Sequence, residues 1–332
     1  MKAVVLVGGQ GTRLRPLTLV TPKQMLPVAG RPMIERVLAH LSRHGIDEVV
    51  LSLGYRPDAF LAAYPGGHFA GIRLRYAVEP EPRDTAGGIA FAARSAALDQ
   101  TFVVHNGDVL TDLDVTALIE RHRERAAVAT IALTPVVDPS RYGVVATDGD
   151  GRVCAFVEKP AAGMAPSNLV NAGTYICEPE LVDRIPGDRR VSIERETFPA
   201  LVRDGSLFAL ASGAAWIDAG TVATYLQANL TAARQEGSWI DASAEIHPGA
   251  CVRASIISAR AVVADEALVE GTLVMAGARV GRGAVVRDSI IGAGAVVGDK
   301  AVVEALSILG EACAVEAGSL VSGRPFPTPA PA

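Results

Sequence analysis

The sequence predicts an α/β fold, a doubly wound and mostly parallel sheet, followed by a left-handed parallel β-helix. Two observations carry this prediction. Apolar strand-like segments alternate with amphipathic helical segments through the first two thirds of the 332 residues, which is the rhythm of βαβ units. After about residue 240, aliphatic residues recur at steps of six residues and occasionally five. Neither a helix nor an alternating strand produces that period.

The alternating part begins with an apolar run at 4–7, which reads as a buried parallel strand. A helix is expected over 32–41, because apolar residues recur there on one helical face and Gly45 follows as a C-cap. Ligands of open α/β sheets bind at the carboxyl ends of the strands. Further strands are expected at 48–53, 102–104 and 129–133, and further helices at 86–97, 115–126 and 221–235.

The repeating part has small residues and glycines between its aliphatic positions. In the hexapeptide repeat, an aliphatic side chain at every sixth position stacks inside a triangular prism. Roughly thirteen hexads predict about four coils. The expected domains are the sheet domain at 1–225, a connecting helix and linker at 226–240, the β-helix at 241–323 and a disordered proline-rich tail at 324–332. The aliphatic positions are Ile246, Val252, Ile257, Val263, Val269, Val274, Val280, Val286, Ile291, Val297, Val303, Leu309, Val315 and Val321.

Composition limits the partners. The net charge is -5, so nucleic acid and anionic membranes are poor partners. Residues 1–34 nevertheless contain five Lys or Arg and no Asp or Glu, which suits a small anionic ligand. The four cysteines lie far apart without a CxxC pair, which is typical of buried thiols rather than zinc ligands or disulfides. No signal peptide is recognised, and a cytoplasmic location is expected.

A glycine-rich turn follows the first strand. Gly8, Gly9 and Gly11 allow the backbone to close around a ligand and to point its N–H groups inward. Arg13, Arg15 and Lys23 add cationic donors, so the turn predicts a polyphosphate site. A Walker loop needs GxxxxGK[ST] and a dinucleotide fingerprint needs GxGxxG, and the turn matches neither pattern.

The same segment also carries a resemblance to a known family. Residues 9–27 resemble the signature GxGTRLxPLTxxxPKxMxP of the nucleoside-diphosphate-sugar pyrophosphorylases, the sugar-1-phosphate nucleotidyltransferases, departing mainly at Gln24, where that family usually has proline. Other segments resemble the family's NGDxLxD, EKP and WxDxGT motifs; they lie at 106–112, 158–160 and 216–221, with further similarity at 142–143 and 171–175. The resemblance implies a Rossmann-like nucleotidyltransferase domain, Mg²⁺ as cofactor, and a nucleoside triphosphate and a sugar 1-phosphate as substrates.

The resemblance also implies residue roles. Arg13, Lys23 and Lys159 would neutralise phosphate charge, and Asp108 and Asp218 would hold Mg²⁺, which prefers carboxylate oxygens. A lone aspartate after a strand is more often a turn residue, so the pair carries more weight than either carboxylate. A homo-oligomer is expected. The implied nucleotide contacts are Leu6, Gly8, Gly9, Gly11, Thr12, Arg13, Glu79, Thr85, Ala86, Gly87, Asn106 and Gly107, and the implied sugar-phosphate contacts are Gly143, Glu158, Lys159, Asn171, Gly173 and Tyr175.

The base is indicated by Glu79. Family members that use uridine or thymidine nucleotides commonly have Gln six residues before the threonine that corresponds to Thr85. A carboxylate only accepts hydrogen bonds, so it complements the N1–H and NH₂ edge of guanine and would repel the carbonyl-rich edge of uracil. The segment is most similar to that of the mannose-1-phosphate guanylyltransferases, although Asp84 replaces the usual glycine. A surface glutamate in a Pro-Glu-Pro turn is the alternative interpretation.

Other functions stay open at this point. A glucose-1-phosphate thymidylyltransferase or uridylyltransferase would share most of these motifs. An acyltransferase of the hexapeptide class would need a histidine within the coils, and only His247 lies in the repeat, at its first turn. A non-catalytic, nucleotide-sugar-binding regulatory homologue usually loses loop cations or metal carboxylates, whereas this chain keeps both.

Overall fold

The structure is a computed structural model that describes residues 1–236 and 239–327. It divides into two compact units. The sheet unit comprises Met1–Gly9 and Ile34–Ile217. The β-helix unit comprises an N-terminal loop, Gln10–Met33, and the chain from Asp218 onward. The N-terminal loop is therefore grouped with the carboxyl-terminal part of the chain rather than with the rest of the predicted domain at 1–225.

The predicted helices are present with small shifts at their ends. α3 begins two residues earlier than expected, and α7 is the connecting helix expected at 221–235, shifted by one residue at each end. The helices are α1 (Met33–Arg43), α2 (Pro57–Ala63), α3 (Asp84–Ser95), α4 (Val115–Arg125), α5 (Pro179–Asp183), α6 (Phe198–Arg203) and α7 (Val222–Glu236), with short 3₁₀ turns at Thr12–Leu14, Leu17–Leu19 and Lys23–Met25 and a π-helical turn at Ile193–Thr197.

The strands up to residue 218 form the large sheet and two small ribbons. They are β1 (Lys2–Leu6), β2 (Pro27–Val28), β3 (Arg31–Pro32), β4 (Glu48–Leu53), β5 (His68–Phe69), β6 (Ile72–Val78), β7 (Phe102–Asn106), β8 (Val109–Thr111), β9 (Ala129–Pro135), β10 (Gly143–Thr147), β11 (Val153–Glu158), β12 (Leu169–Cys177), β13 (Leu207–Ala211) and β14 (Trp216–Asp218). In the large sheet the order is β11-β10-β12-β7-β1-β4-β6-β5, and β9 pairs with β12 and β13.

The core of the large sheet is parallel, as predicted. β1 pairs in parallel with β4 and β7, and β4 pairs in parallel with β6. Ala3, Val4 and Val5 are fully buried, as expected for a central strand covered on both faces. Antiparallel pairing begins at β12 and continues towards β11, and β5 is antiparallel at the other edge. The carboxyl ends of β1, β4 and β7 therefore share one edge of the sheet.

The β-helix unit contains three parallel five-stranded sheets, which confirms the predicted second fold. Partners within a sheet are 17 residues apart, as in Ile246–Val263 and Val263–Val280, except for one interval of 18 residues in each sheet. The predicted aliphatic positions from Ile257 to Val321 form one buried core. The strands are β15 (Glu245–Ile246), β16 (Cys251–Arg253), β17 (Ile256–Ile257), β18 (Val262–Val263), β19 (Leu268–Glu270), β20 (Leu273–Val274), β21 (Arg279–Val280), β22 (Val285–Arg287), β23 (Ile290–Ile291), β24 (Val296–Val297), β25 (Val302–Glu304), β26 (Ile308–Leu309), β27 (Ala314–Val315), β28 (Leu320–Ser322) and β29 (Pro325–Phe326).

Two expectations about the repeat need correction. Each sheet has five strands, so the β-helix is longer than about four coils. The disordered tail predicted from residue 324 is wrong for Pro325–Phe326, which form β29 and pair with β26. The repeat continues one strand further because Phe326 packs against the core of the coils. The rest of the predicted tail, 328–332, lies outside the described residues.

Within the described ranges, no helix has the length and apolar character needed to cross a membrane.

Candidate active site

The glycine turn after β1 lies directly against the next strand of the sheet. Gly8 and Gly54 approach so closely that a methyl group on Gly8 would lie 3.3 Å from the Gly54 nitrogen. The Val7 N–H donates to the carbonyl of Ser52 (3.0 Å), and the Gly107 N–H donates to the carbonyl of Leu6 (2.9 Å). The ends of β1, β4 and β7 are thereby joined, and Gly9 beside them has open space where a side chain would be.

Glu79 follows β6 at the same edge, and its carboxylate is held at both oxygens. Ser52 Oγ donates to Oε1 (2.8 Å), and the Arg83 N–H donates to Oε2 (3.1 Å). Oε1 also lies 2.9 Å from the position of a methyl group on Gly88. A carboxylate oxygen can accept two hydrogen bonds, so the oriented group keeps acceptor capacity beside the glycines of α3. Glu79 is thus a half-buried carboxylate whose orientation is fixed by two hydrogen bonds.

The start of α3 explains why the family has a glycine where this chain has Asp84. Asp84 has φ +62°, a left-handed conformation that glycine adopts freely and aspartate tolerates. Its Oδ1 accepts a hydrogen bond from the Thr85 N–H (2.8 Å). Thr85 Oγ1 in turn donates to Glu194 (2.8 Å) on the π-helical turn. A left-handed backbone that glycine adopts freely is thus formed here by an aspartate.

The predicted sugar-binding residues of β12 form a local network with the end of β7. Gly173 has φ +73°, and a methyl group there would lie 2.7 Å from Asn106 Nδ2. Asn171 accepts from the Gly173 N–H (3.0 Å) and donates to the Tyr175 hydroxyl (2.9 Å). The strand register is irregular between Asn171 and Tyr175, and such irregularities redirect side chains. Burial raises the pKa of Tyr175 well above its usual value, so its hydroxyl stays neutral.

Glu158 and Lys159 end β11 next to Gly143. Gly143 pairs with Glu158 across β10 and β11, and a methyl group on Gly143 would lie 3.1 Å from Glu158 Oε2. Lys159 Nζ lies 3.1 Å from Glu158 Oε1. Lys159 has φ +50°, an unusual conformation for a residue other than glycine, and such positions cluster at functional sites. The ammonium group is more than half exposed and so is accessible to an anion.

In the N-terminal loop, Gly11 lies against Lys23. Gly11 has φ +61°, and a methyl group there would lie 2.9 Å from Thr18 Cγ2 and 3.1 Å from Lys23 Cβ. Thr18 Oγ1 donates to the carbonyl of Gly11 (2.8 Å). Lys23 is only 8% exposed. Its side chain therefore begins in a buried position against the glycine turn.

Arg13 and Asp218 meet at Gly220. A methyl group on Gly220 would lie 2.7 Å from Arg13 Nη2 and 2.8 Å from Asp218 Oδ1. Gly220 therefore leaves the space that lets a guanidinium and a carboxylate come together. The similarity to the family motif WxDxGT implied a site role for Asp218, but no local pattern connected the glycine of that motif with Arg13.

Asp108 lies two residues beyond the end of β7, as predicted. The neighbouring His105 is fully buried, and burial lowers its pKa to about 4, while the negative charge of Asp108 acts in the opposite direction. Its Nδ1 lies 2.7 Å from the carbonyl oxygen of Asn106.

The structure thus brings many of the predicted residues together within each unit. In the sheet unit, the glycines after β1 lie at the end of that strand, and Glu79 lies beside the start of α3. Two further groups are Asn106 with Gly173, and Glu158 with Gly143 and Lys159. In the β-helix unit they are Gly11 with Lys23 and Arg13 with Asp218. Three contributors were missed. Ser52 is a polar residue within the apolar run of β4, which is a usable signal, and Gly220 is the glycine of the WxDxGT motif, whereas nothing local marked Glu194.

A divalent cation is compatible with the residues present. Among residues 1–236 and 239–327, no three His, Cys, Asp or Glu side chains form a cluster able to hold a metal by themselves. Mg²⁺ is commonly held by one or two carboxylates together with substrate phosphates and water. Asp218, whose Oδ1 is a buried carboxylate oxygen beside Gly220, supplies a ligand of that kind.

The comparisons with known proteins agree with this fold. The nucleotidyl transferase family model matches residues 2–235, and the model of the GMPPB C-terminal domain matches residues 235–326. The chain therefore belongs to the nucleotidyl transferase family, and the resemblance to the nucleoside-diphosphate-sugar pyrophosphorylases is confirmed.

Individual relatives refine the comparison. A mannose-1-phosphate guanylyltransferase of Mycobacterium tuberculosis is 44% identical over 66% of this chain and 61% of its own length. A UTP–glucose-1-phosphate uridylyltransferase of Synechocystis is 36% identical over 69% of this chain and 62% of its own length. The crystal structure of HddC from Yersinia pseudotuberculosis complexed with GMP-PN is 29% identical, covers 69% of this chain and 98% of that one, and has a TM-score of 0.60. The chain spans about three fifths of the length of the curated relatives it matches.

Proposed function

We propose that this protein is a mannose-1-phosphate guanylyltransferase, which joins mannose 1-phosphate and GTP to give GDP-mannose and pyrophosphate. The observation that carries the proposal is the oriented carboxylate of Glu79, held by Ser52 and Arg83 beside the glycines of α3. The similarity to the Mycobacterium tuberculosis enzyme supports both the guanine base and the mannose. The GMP-PN complex of the HddC structure is consistent with the same nucleotide class.

The triphosphate would be bound by the N-terminal loop. Lys23 and Gly11 lie together, and Arg13 lies beside Gly220, so two cations and backbone N–H groups are available for phosphate oxygens. Cations fixed in a partly dry site stabilise the charge that develops on the leaving pyrophosphate. Arg13 would contact the β- and γ-phosphates, and Lys23 would contact phosphate near the α-position.

The sugar phosphate would be bound by the ends of β11 and β12. Lys159 would neutralise its phosphate, and Glu158 would accept hydrogen bonds from sugar hydroxyls. Asn171 and Gly173 have amide and backbone groups fixed by their mutual hydrogen bond, which suits recognition of hydroxyl stereochemistry.

A divalent cation, Mg²⁺ in this proposal, would be held by Asp108 and Asp218. When bound, it would supply positive charge to the α-phosphate oxygens. An oxygen of the sugar phosphate forms the new bond to the α-phosphorus, and the bond from that phosphorus to the bridging oxygen of the β-phosphate breaks. The electron pair leaves with pyrophosphate. The phosphate nucleophile is already anionic, so orientation and charge neutralisation suffice without a general base.

The proposal is tested by a matrix of GTP, UTP, dTTP and ATP against mannose, glucose and galactose 1-phosphates, read by pyrophosphate release. GTP with mannose 1-phosphate should give the highest kcat/KM. Equal use of the four nucleotides would contradict the role of Glu79. The second candidate, a glucose-1-phosphate uridylyltransferase or thymidylyltransferase, is favoured by the Synechocystis relative and would give the highest value with UTP or dTTP.

One further outcome concerns the remaining alternative. Nucleotide-sugar binding without turnover of any substrate pair would indicate a regulatory homologue.

We also propose that the protein self-associates through the β-helix. Light scattering measures this separately.

A further inference from the structure

The N-terminal loop, which carries Arg13 and Lys23, contacts residues of the β-helix unit that lie about two hundred positions or more away in the sequence. Its partners are α7, Trp239 and the fourth coil. These contacts lie on both sides of Lys23 in the sequence, and the first of them, at Pro16, follows Arg13 by three residues.

On the carboxyl side of Lys23, the hairpin formed by β2 and β3 is bound to α7. The Ala29 N–H donates to Asn229 Oδ1 (3.0 Å), and both residues are fully buried. The hydroxyl of Tyr225, also fully buried, donates to the carbonyl of Pro27 (2.5 Å). Ala29 has φ +45°, so this turn is held in a conformation that alanine rarely adopts.

The next residue of the hairpin is covered by an aromatic ring. Gly30 has φ +77°, and a methyl group there would collide with the indole of Trp239. The carbonyl of Trp239 accepts the N–H of Ile257 (2.9 Å) in the first coil. The ring that covers Gly30 is thus attached to the β-helix itself.

On the other side of the loop, three residues after Arg13, Pro16 packs on the backbone of the fourth coil. A methyl group on Gly310 would lie 3.0 Å from Pro16 Cγ and 3.2 Å from Pro16 Cβ. Such contacts are tight, because protein interiors leave few gaps. Even a single carbon added at Gly310 would displace the ring of Pro16.

We propose that α7 and the β-helix act as a clamp that positions the phosphate-binding cations, with Trp239, Tyr225, Asn229 and Gly310 as positioning residues for nucleotidyl transfer. The clamp fixes the loop at Pro16 and at 27–30, so that Lys23 lies between the two anchors and Arg13 lies three residues before the first anchor. Misplacement of a charged group by a fraction of an ångström lowers the rate substantially. The expected change in KM for GTP rests on the proposed function. The anchoring of the loop by α7 and the β-helix does not depend on that function.

The test uses Trp239→Ala, Trp239→Phe and Gly310→Ala in the full chain, with Leu320→Ala as control because Leu320 is 58% exposed on a coil. Trp239→Ala and Gly310→Ala should speed amide hydrogen exchange in residues 10–33 about fivefold or more and leave exchange in the coils unchanged. KM for GTP should rise about tenfold, and KM for mannose 1-phosphate should stay within about twofold. Trp239→Phe keeps an aromatic face, so amide exchange in residues 10–33 and KM for GTP should both stay close to their wild-type values.

The inference is overturned if exchange of the loop and KM for GTP are unchanged in both variants, or if exchange rises equally throughout the coils. Should Trp239→Ala fail to fold, Gly310→Ala alone decides the result. If the wild-type protein turns over no nucleotide and sugar-phosphate pair, the proposed function fails. Hydrogen exchange of the loop still decides whether the clamp exists.

Discussion

Ser52 Oγ donates a 2.8 Å hydrogen bond to Oε1 of Glu79, and this bond orients the carboxylate that we propose as the reader of guanine. The donor belongs to β4 and the acceptor follows β6, which are neighbouring parallel strands. The orientation of Glu79 is thus a property of the sheet. The Arg83 N–H holds the second oxygen, which leaves little freedom to turn the group away.

Glu79→Gln should therefore lower discrimination between nucleotides. One acceptor oxygen becomes an NH₂ donor, which faces the donor edge of guanine unfavourably and tolerates the carbonyls of uracil. We expect the ratio of kcat/KM for GTP over UTP to fall by about 10- to 100-fold. Ser52→Ala, which only frees the carboxylate, should reduce the ratio less. An unchanged ratio in Glu79→Gln would remove this residue from base recognition.

Asp108→Asn and Arg13→Ala should each lower kcat on the order of 100-fold while the protein stays folded. The first change removes a charge from the proposed metal site, and the second removes a cation from the proposed phosphate site. Steady-state rates over a Mg²⁺ titration separate the two, because only Asp108→Asn should require more Mg²⁺ for half-maximal rate. Normal turnover of Asp108→Asn at low Mg²⁺ would refute the metal assignment.

Gly220→Ala should damage catalysis although glycine has no reactive group. The added methyl would lie 2.7 Å from Arg13 Nη2 and 2.8 Å from Asp218 Oδ1, so both side chains must move apart. We expect kcat to fall about tenfold or more, measured as pyrophosphate release. Gly213→Ala is the matched control, since nothing lies within 4 Å of its methyl position. Equal rates for the two variants would show that the approach of Arg13 and Asp218 is not needed.

Asp84→Ala should destabilise the protein by about 1 kcal/mol, because alanine is disfavoured at positive φ and cannot accept the Thr85 N–H. The free energy of unfolding of Asp84→Gly should stay within about 0.5 kcal/mol of the wild-type value. Glycine relieves the strain of the left-handed backbone, and this gain offsets both the lost hydrogen bond and the greater flexibility of the unfolded chain. Denaturant unfolding at neutral pH measures both. If alanine is tolerated as well as glycine, the left-handed conformation at φ +62° does not limit this position.

Acid should destabilise the sheet unit through His40 and His105. Burial lowers the pKa of His40 to about 3, helped by the nearby charges of His105, His44 and Arg43 and opposed by Asp114, and burial lowers the pKa of His105 to about 4. As pH falls below the usual value of 6.5, only the unfolded chain takes up these protons. The free energy of unfolding should then fall by about 1.4 kcal/mol per pH unit for each histidine.

His40→Gln should remove about half of the fall in unfolding free energy per pH unit between pH 6 and about pH 4. Denaturant unfolding at a series of pH values measures this. His68→Gln, at an exposed position, is the control. An unchanged slope in His40→Gln would mean that His40 does not contribute to acid sensitivity.

Local and periodic features of the fold were predictable. The hexad positions fall in the core of the β-helix, and β4 has the predicted ends. The end of the repeat was not predictable, because the proline-rich sequence that begins at Pro325 is typical of a disordered tail, and Pro325–Phe326 become a strand only by pairing with β26. Likewise, the role of Glu194 depends on contact with Thr85, 109 residues away in the sequence.

By itself, the sequence determined which chemical groups are available and on which strands and loops they lie, because motif spacing and hydrophobic period act over a few residues. Only the tertiary structure decided which groups meet. Asn106 lies over Gly173, Arg13 meets Asp218 at Gly220, and Ala29 is bound by Asn229, 200 residues later. The physical reason is that these contacts depend on close packing between distant segments, where one missing side chain or one buried hydrogen bond decides the fit.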